Sequence, residues 1–182
     1  MKLKITQMLE QHLKEAHKLY NYYIVNSYAN FEEDEVSFRD FYKNYKNITD
    51  NKLPYIVALG DKKVIGIAYL NKFRDKSGYR FAFENTIYVS NDHIKDGIGS
   101  KLLGKLINVS KKNKKIKKIV AVIGGIDSKA SLKVHQKFGF KKSGVLKDIG
   151  FKNNKWIDAI LMQKNIWKKL IKIISKKHFL SL

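Results

Sequence analysis

Five consecutive residues, Ile119-Val120-Ala121-Val122-Ile123, carry no polar side chain. Successive side chains of a strand point to opposite faces, so a run apolar at every position reads as a strand covered on both sides. Ile87-Tyr88-Val89, closing a segment over 79–90, has the same character. Two such segments imply a central sheet with helices on its faces. The helical patterns are present. From Met8, apolar residues recur at Leu9, Leu13, Ala16, Tyr20 and Tyr23. A second helix over 37–47 has Ser37 as N-cap, a third carries Ile98, Leu102, Leu103, Leu106 and Ile107, and a fourth over about 129–138 stops at Gly139. Leu3 and Ile5 suggest a short first strand, and Tyr55–Leu59 and Val64–Leu70 form a hairpin around Gly60-Asp61-Lys62-Lys63. Last strands over about 140–148 and 156–164 complete the order β-α-α-β-β-β-α-β-α-β-β. The 182 residues read as one α/β domain, 1–166, with a basic tail, 167–182.

The chain has no cysteine, which excludes disulfides, thiolate zinc sites and a cysteine nucleophile. No apolar run reaches 18 residues, so no membrane span is expected. The segment Met1-Lys2-Leu3-Lys4-Ile5 lacks a signal-peptide core, and a cytoplasmic protein is expected. His12, His17, His93 and His178 fall at no metal-ligand spacing, so no metal is expected. The formal net charge is +21, yet only Arg39, Arg74 and Arg80 are arginine. Lysine excess with abundant Asn, Ile and Tyr matches an AT-rich codon bias; the competing reading is a surface for nucleic acid or other phosphates.

The stretch His93-Ile94-Lys95-Asp96-Gly97-Ile98-Gly99-Ser100 joins a strand to a helix. Alternate glycines let the backbone approach a ligand, and the free N–H groups of a helix start favour an anion. The Gly-Lys-Ser/Thr ending of a nucleotide P-loop is missing, and the third glycine of a dinucleotide fingerprint would fall on Leu102.

In context the loop becomes specific. Tyr79-Arg80-Phe81-Ala82-Phe83-Glu84-Asn85-Thr86-Ile87-Tyr88-Val89-Ser90 is followed by Gly97-Ile98-Gly99-Ser100 and Val120-Ala121-Val122-Ile123-Gly124. Then come Ala130-Ser131-Leu132-Lys133-Val134-His135-Gln136-Lys137-Phe138-Gly139-Phe140 and Gly150-Phe151-Lys152 ahead of Trp156-Ile157-Asp158. From Pro54 to about Lys164 these words resemble the GNAT superfamily of N-acetyltransferases, and within it the phosphinothricin and methionine-sulfoximine acetyltransferase group. The resemblance implies the GNAT acyl-CoA N-acyltransferase fold, a mixed sheet whose middle strands splay. It implies acetyl-CoA as donor, with its pyrophosphate on the amides of Lys95, Asp96, Gly97, Ile98, Gly99 and Ser100. The pantetheine arm is expected along Ile87, Tyr88 and Val89, with Ser128 also at the cofactor. A homodimer is expected on the same ground. Ile94, Asp96 and Ser128 depart from the residues usual in the family.

Acyl transfer from a thioester to an amine needs a base for the amine, donors for the oxyanion and a proton for the thiolate. Glu84 stands in an otherwise apolar and aromatic strand, where burial would raise its pKa; the family places a catalytic carboxylate there. The residues alone allow an ion pair with Arg80 or another basic residue instead. His135 occupies the position from which the family protonates the departing thiol, although a lone helical histidine is also a common core residue. A backbone N–H of the Tyr88–Val89 region is expected to meet the oxyanion. Arg74 and Arg80 offer planar forks to an acidic group, with Phe31 and Tyr79 as pocket walls. The expected reaction is acetylation of a small amino-acid-like primary amine. The alternatives are a protein N-terminal or lysine acetyltransferase, and a catalytically weakened basic binding protein of the same fold.

Overall fold

The structure is a computed structural model that describes residues 1–167. The expected tail, 167–182, lies outside the described residues apart from Trp167. Seven strands form one sheet: β1 (Leu3–Gln7), β2 (Tyr55–Gly60), β3 (Lys63–Lys72), β4 (Ala82–Val89), β5 (Lys118–Gly124), β6 (Lys141–Lys152) and β7 (Lys155–Asn165). Their spatial order is β1-β2-β3-β4-β5-β7-β6. Neighbours are antiparallel except β4 and β5, which run parallel. The helices are α1 (Leu13–Asn26), α2 (Phe38–Asp50), α3 (Ile98–Ser110) and α4 (Lys129–Lys137). No helix among the described residues is long and apolar enough to cross a membrane.

Two layers of helix follow from the two apolar faces of the strands. On one side α1 brings Tyr20 and Tyr23 against Tyr88 of β4, the Tyr23 and Tyr88 rings stacking at 4.5 Å. On the other, the Gly66 position of β3 lies close under Leu102 and Ile98 of α3. Leu102, Leu103 and Leu106 are fully buried, each burial being favourable by about 1.5–3 kcal/mol. Ser37 caps α2 by accepting from the Asp40 amide at 3.1 Å. Gly139 takes φ +78° immediately beyond α4, a left-handed conformation that suits glycine.

Several boundaries differ from the sequence expectation, and the second helix runs on to Asp50. The first helix begins at Leu13, not Met8: a 3₁₀ turn, Glu10–His12, precedes it, with extended backbone at Leu9. The aromatic alternation from Tyr79 is not all strand, because Ser77–Tyr79 is a 3₁₀ turn and β4 opens at Ala82. The last two strands run on to Lys152 and from Lys155, meeting at Asn153-Asn154, both with positive φ, as a two-residue hairpin turn requires.

The feature that positions the site is a fork. β4 and β5 pair only at Ala82↔Lys118, Phe83↔Ile119 and Glu84↔Val120. Beyond Glu84 the two strands part, while β5 keeps its full ladder with β7.

Candidate active site

Glu84 sits at the crotch of that fork, the last β4 residue to pair with β5. Past it opens a cavity of about 400 Å³, walled by Asn85, Thr86, Ile87 and Tyr88 from β4 and by Ala121 to Gly124 from β5. Tyr20, Tyr69, Asn71 and the 29–32 segment close one side; Ser128, Ser131 and His135 close the other. This volume suits a small ligand. Burial raises the Glu84 carboxyl to about 6, and the Arg74 guanidinium opposes part of that rise. A carboxyl at that value is mostly ionised at neutral pH yet basic enough to hold a proton.

The direction of each β4 peptide group follows from its bonds. The amide of Ser90 donates to Ile65 at the β3 side, and Ala82 accepts there from Phe73, so even-numbered residues face β3. Phe81 accepts from Lys117 and Lys118 at the β5 side, so odd-numbered residues face β5. Past the fork, Asn85, Ile87 and Val89 therefore turn their backbone groups into the gap. Tyr88, expected to contribute its backbone, turns it to β3 instead. The Val89 carbonyl is already taken by the Tyr23 hydroxyl, which donates over 2.6 Å. The N–H groups of Ile87 and Val89 are the donors the fork presents.

At the far end of β4, a 3₁₀ turn (Asn91–His93) leads into α3. The first helical bond runs from the Lys101 amide to the Gly97 carbonyl, so the amides of Gly97, Ile98, Gly99 and Ser100 precede the ladder. Gly97 adopts φ +70°, and nothing lies within 4 Å of the place a Cβ would take. The loop presents open backbone and a helix dipole. The Asp96 amide is not among its free donors, because it donates to His93. The Asp96 carboxylate is engaged by His93 Nδ1 at 2.8 Å.

His135 is buried, and burial lowers its pKa. Nδ1 lies 2.8 Å from the Ser131 carbonyl, which can only accept, so Nδ1 carries the proton. Nε2 then accepts from the Asn85 side-chain amide at 3.0 Å. In this arrangement both ring nitrogens are occupied and the histidine holds Asn85, whose buried Oδ1 has no partner among the described residues. Ser128 lines the cavity with its hydroxyl donating to the Gly125 carbonyl at 3.0 Å.

Phe31 lines the cavity as expected. Arg74, Tyr79 and Arg80 do not; they border a separate depression of about 420 Å³ with Lys72, Lys76 and Lys115. Arg80 donates to the Ser77 carbonyl at 3.2 Å and covers the Phe81 ring. Arg74, not Arg80, is the arginine whose charge reaches Glu84. Sequence reasoning missed Tyr20, Tyr69 and Asn85. Tyr20 was legible only as part of an apolar helical face, and Asn85 as Glu84's neighbour. Among the described residues no cluster of His, Cys, Asp and Glu could hold a metal ion.

A family model described as an acetyltransferase (GNAT) domain matches residues 5–161. Phosphinothricin N-acetyltransferase of Alcaligenes faecalis is 36% identical over 146 residues, 80% of this chain and 74% of that protein. L-methionine sulfoximine/L-methionine sulfone acetyltransferase of Salmonella typhimurium is 30% identical over 128 residues, 63% of this chain and 72% of that protein. The crystal structure of a phosphinothricin acetyltransferase from Sinorhizobium meliloti in complex with AcCoA superposes with a TM-score of 0.85 at 32% identity. That superposition covers 91% of this chain and 89% of that one.

Proposed function

Because the chain belongs to the GNAT acetyltransferase family, we propose that it moves the acetyl group of acetyl-CoA to the primary amine of a small amino-acid-like substrate. The observation that carries the reading is Glu84, a carboxyl raised to about 6, at the crotch of two splayed strands beside a cavity of ligand size. The relatives named for phosphinothricin and methionine sulfoximine support the substrate class.

The chain's own groups fit acetyl-CoA. The free amides of Gly97 to Ser100 and the dipole of α3 suit its pyrophosphate, and open space at Gly97 admits it. The N–H groups of Ile87 and Val89 suit the pantetheine arm and the thioester oxygen. Acetyl-CoA supplies the activated acetyl group. Glu84 takes the proton of the arriving ammonium, directly or through one water, and frees the nitrogen lone pair. The second proton that the nitrogen sheds as the amide forms is the one the departing sulfur needs, so no separate acid is required. Phe31 provides an apolar wall, and the Arg74 charge, which reaches Glu84 from outside the cavity, favours a substrate with an acidic end.

A homodimer in the cytoplasm belongs to the same reading. β6 is an edge of the sheet, and Leu146, Ile149, Phe151 and Trp156 on its hairpin with β7 are exposed, Trp156 by 63%. Such a patch suits a second copy; light scattering at physiological salt is expected to give twice the chain mass, and a monomer mass contradicts it.

An acetylation panel tests the substrate class. Phosphinothricin and methionine sulfoximine are expected to exceed ordinary amino acids, spermidine and an N-terminal peptide. Preference for the peptide or spermidine overturns the amino-acid reading.

A further inference from the structure

The cavity has one wall that no strand supplies. Residues 27–37, between α1 and α2, lie across it as irregular chain, and Asn30, Phe31 and Glu32 line it. Irregular chain keeps its place only through the contacts that tie it down. At its far end the Asn21 side chain brackets Val36, accepting from its amide at 3.2 Å and donating to its carbonyl at 3.1 Å. At its near end the Tyr28 carbonyl presses on Gly124, where a Cβ would stand 2.2 Å from it.

The middle is held from a distant part of the chain. Lys152, near the end of β6, is 1% exposed, and its Nζ donates to the Asn30 carbonyl at 2.8 Å. Two residues earlier on the same strand face, Gly150 receives the Phe31 ring, whose Cε1 would lie 2.4 Å from a Cβ at that position. The Asn30 side chain in turn accepts from the Glu32 amide at 2.9 Å. One short strand segment thus seats Asn30 and Phe31 together.

A buried ammonium is costly unless it is compensated. Burial lowers the pKa of Lys152, and the carboxylates of Glu33 and Glu32 work against that fall. A methionine would fill much of the same slot without desolvating a charge. What lysine adds is a bond to the loop that walls the cavity. We infer that Lys152 is a positioning residue for acceptor recognition: by pinning the Asn30 carbonyl, it keeps Phe31 and Glu32 in the wall of the cavity that receives the amine. The kinetic consequence rests on the acetyltransferase reading, whereas the pinning itself does not.

The test compares wild type with Lys152→Met by hydrogen exchange and steady-state kinetics. Amides of residues 27–36 are expected to exchange about tenfold faster or more, with the central strands unchanged, since a local tie and not the core is lost. The KM for methionine sulfoximine is expected to rise about tenfold, with the acetyl-CoA KM and kcat within about twofold of wild type. Gly150→Ala leaves the ammonium in place and displaces Phe31; it is expected to raise the amine KM alone. Unchanged exchange over 27–36 overturns the pinning even in a protein with no acetyltransferase activity. Faster exchange with an unmoved amine KM, or loss of the whole domain's cooperative melt, overturns the role in acceptor recognition. An amine KM untouched by Gly150→Ala overturns it as well.

Discussion

The side-chain amide of Asn85 donates to Nε2 of His135 over 3.0 Å, tying β4 just past the fork to the last turn of α4. The ring's other nitrogen donates to Ser131. His135→Ala strips a buried amide of its partner, which costs about 1–3 kcal/mol. The expected outcome is a lower Tm and a reduced kcat whose pH dependence keeps its midpoint. A midpoint that moves in this variant would show the histidine titrating in the reaction.

Glu84 links pH to stability. Its folded pKa, about 6, lies above the ordinary 4.5, so the folded protein binds its proton more tightly than the unfolded chain does. The group's contribution is therefore most favourable below the unfolded value and falls as pH rises from 4.5 to 6. At pH 8 the ionised carboxylate is a burden of about 1–2 kcal/mol. Glu84→Gln is expected to melt higher than wild type at pH 8 and level with it at pH 4. Equal melting at both pH values contradicts this.

Arg74 opposes the rise of the Glu84 pKa. Arg74→Gln is expected to move the acid limb of kcat/KM upward in pH; Arg74→Lys, which keeps the charge, leaves the limb in place. Initial rates from pH 5 to 9 check the limb.

Gly97 has room for a side chain but not the backbone conformation for one. Gly97→Ala adds about 1–2 kcal/mol of left-handed strain at the head of α3. Calorimetry is expected to show acetyl-CoA binding weakened several-fold, while the amine KM stays near wild type.

The order of elements was legible because apolar periodicity reports burial directly. Ile119 to Ile123 is a strand inside the sheet, and Ser37 and Gly139 end helices where their chemistry says they should. The aromatic alternation at Tyr79 and Phe81 misled, because both rings are exposed and report a turn, not a pleat. Glu84 was legible as a lone acid in an apolar strand. The bond between Asn85 and His135 spans 50 residues, and that between Asn30 and Lys152 spans 122. Contacts at such separations leave no period in the sequence. The parity that turns the Tyr88 peptide groups away from the gap depends on strand registers, which the sequence does not state either.

Glu84 is the base proposed for N-acetylation of a small amine. Its direct test is kcat/KM for methionine sulfoximine from pH 5 to 9, wild type against Glu84→Gln. The predicted result is a wild-type acid limb near 6, with the variant slower by roughly 10²-fold or more and the limb gone. A Glu84→Gln enzyme that keeps wild-type turnover and the same limb would contradict the account.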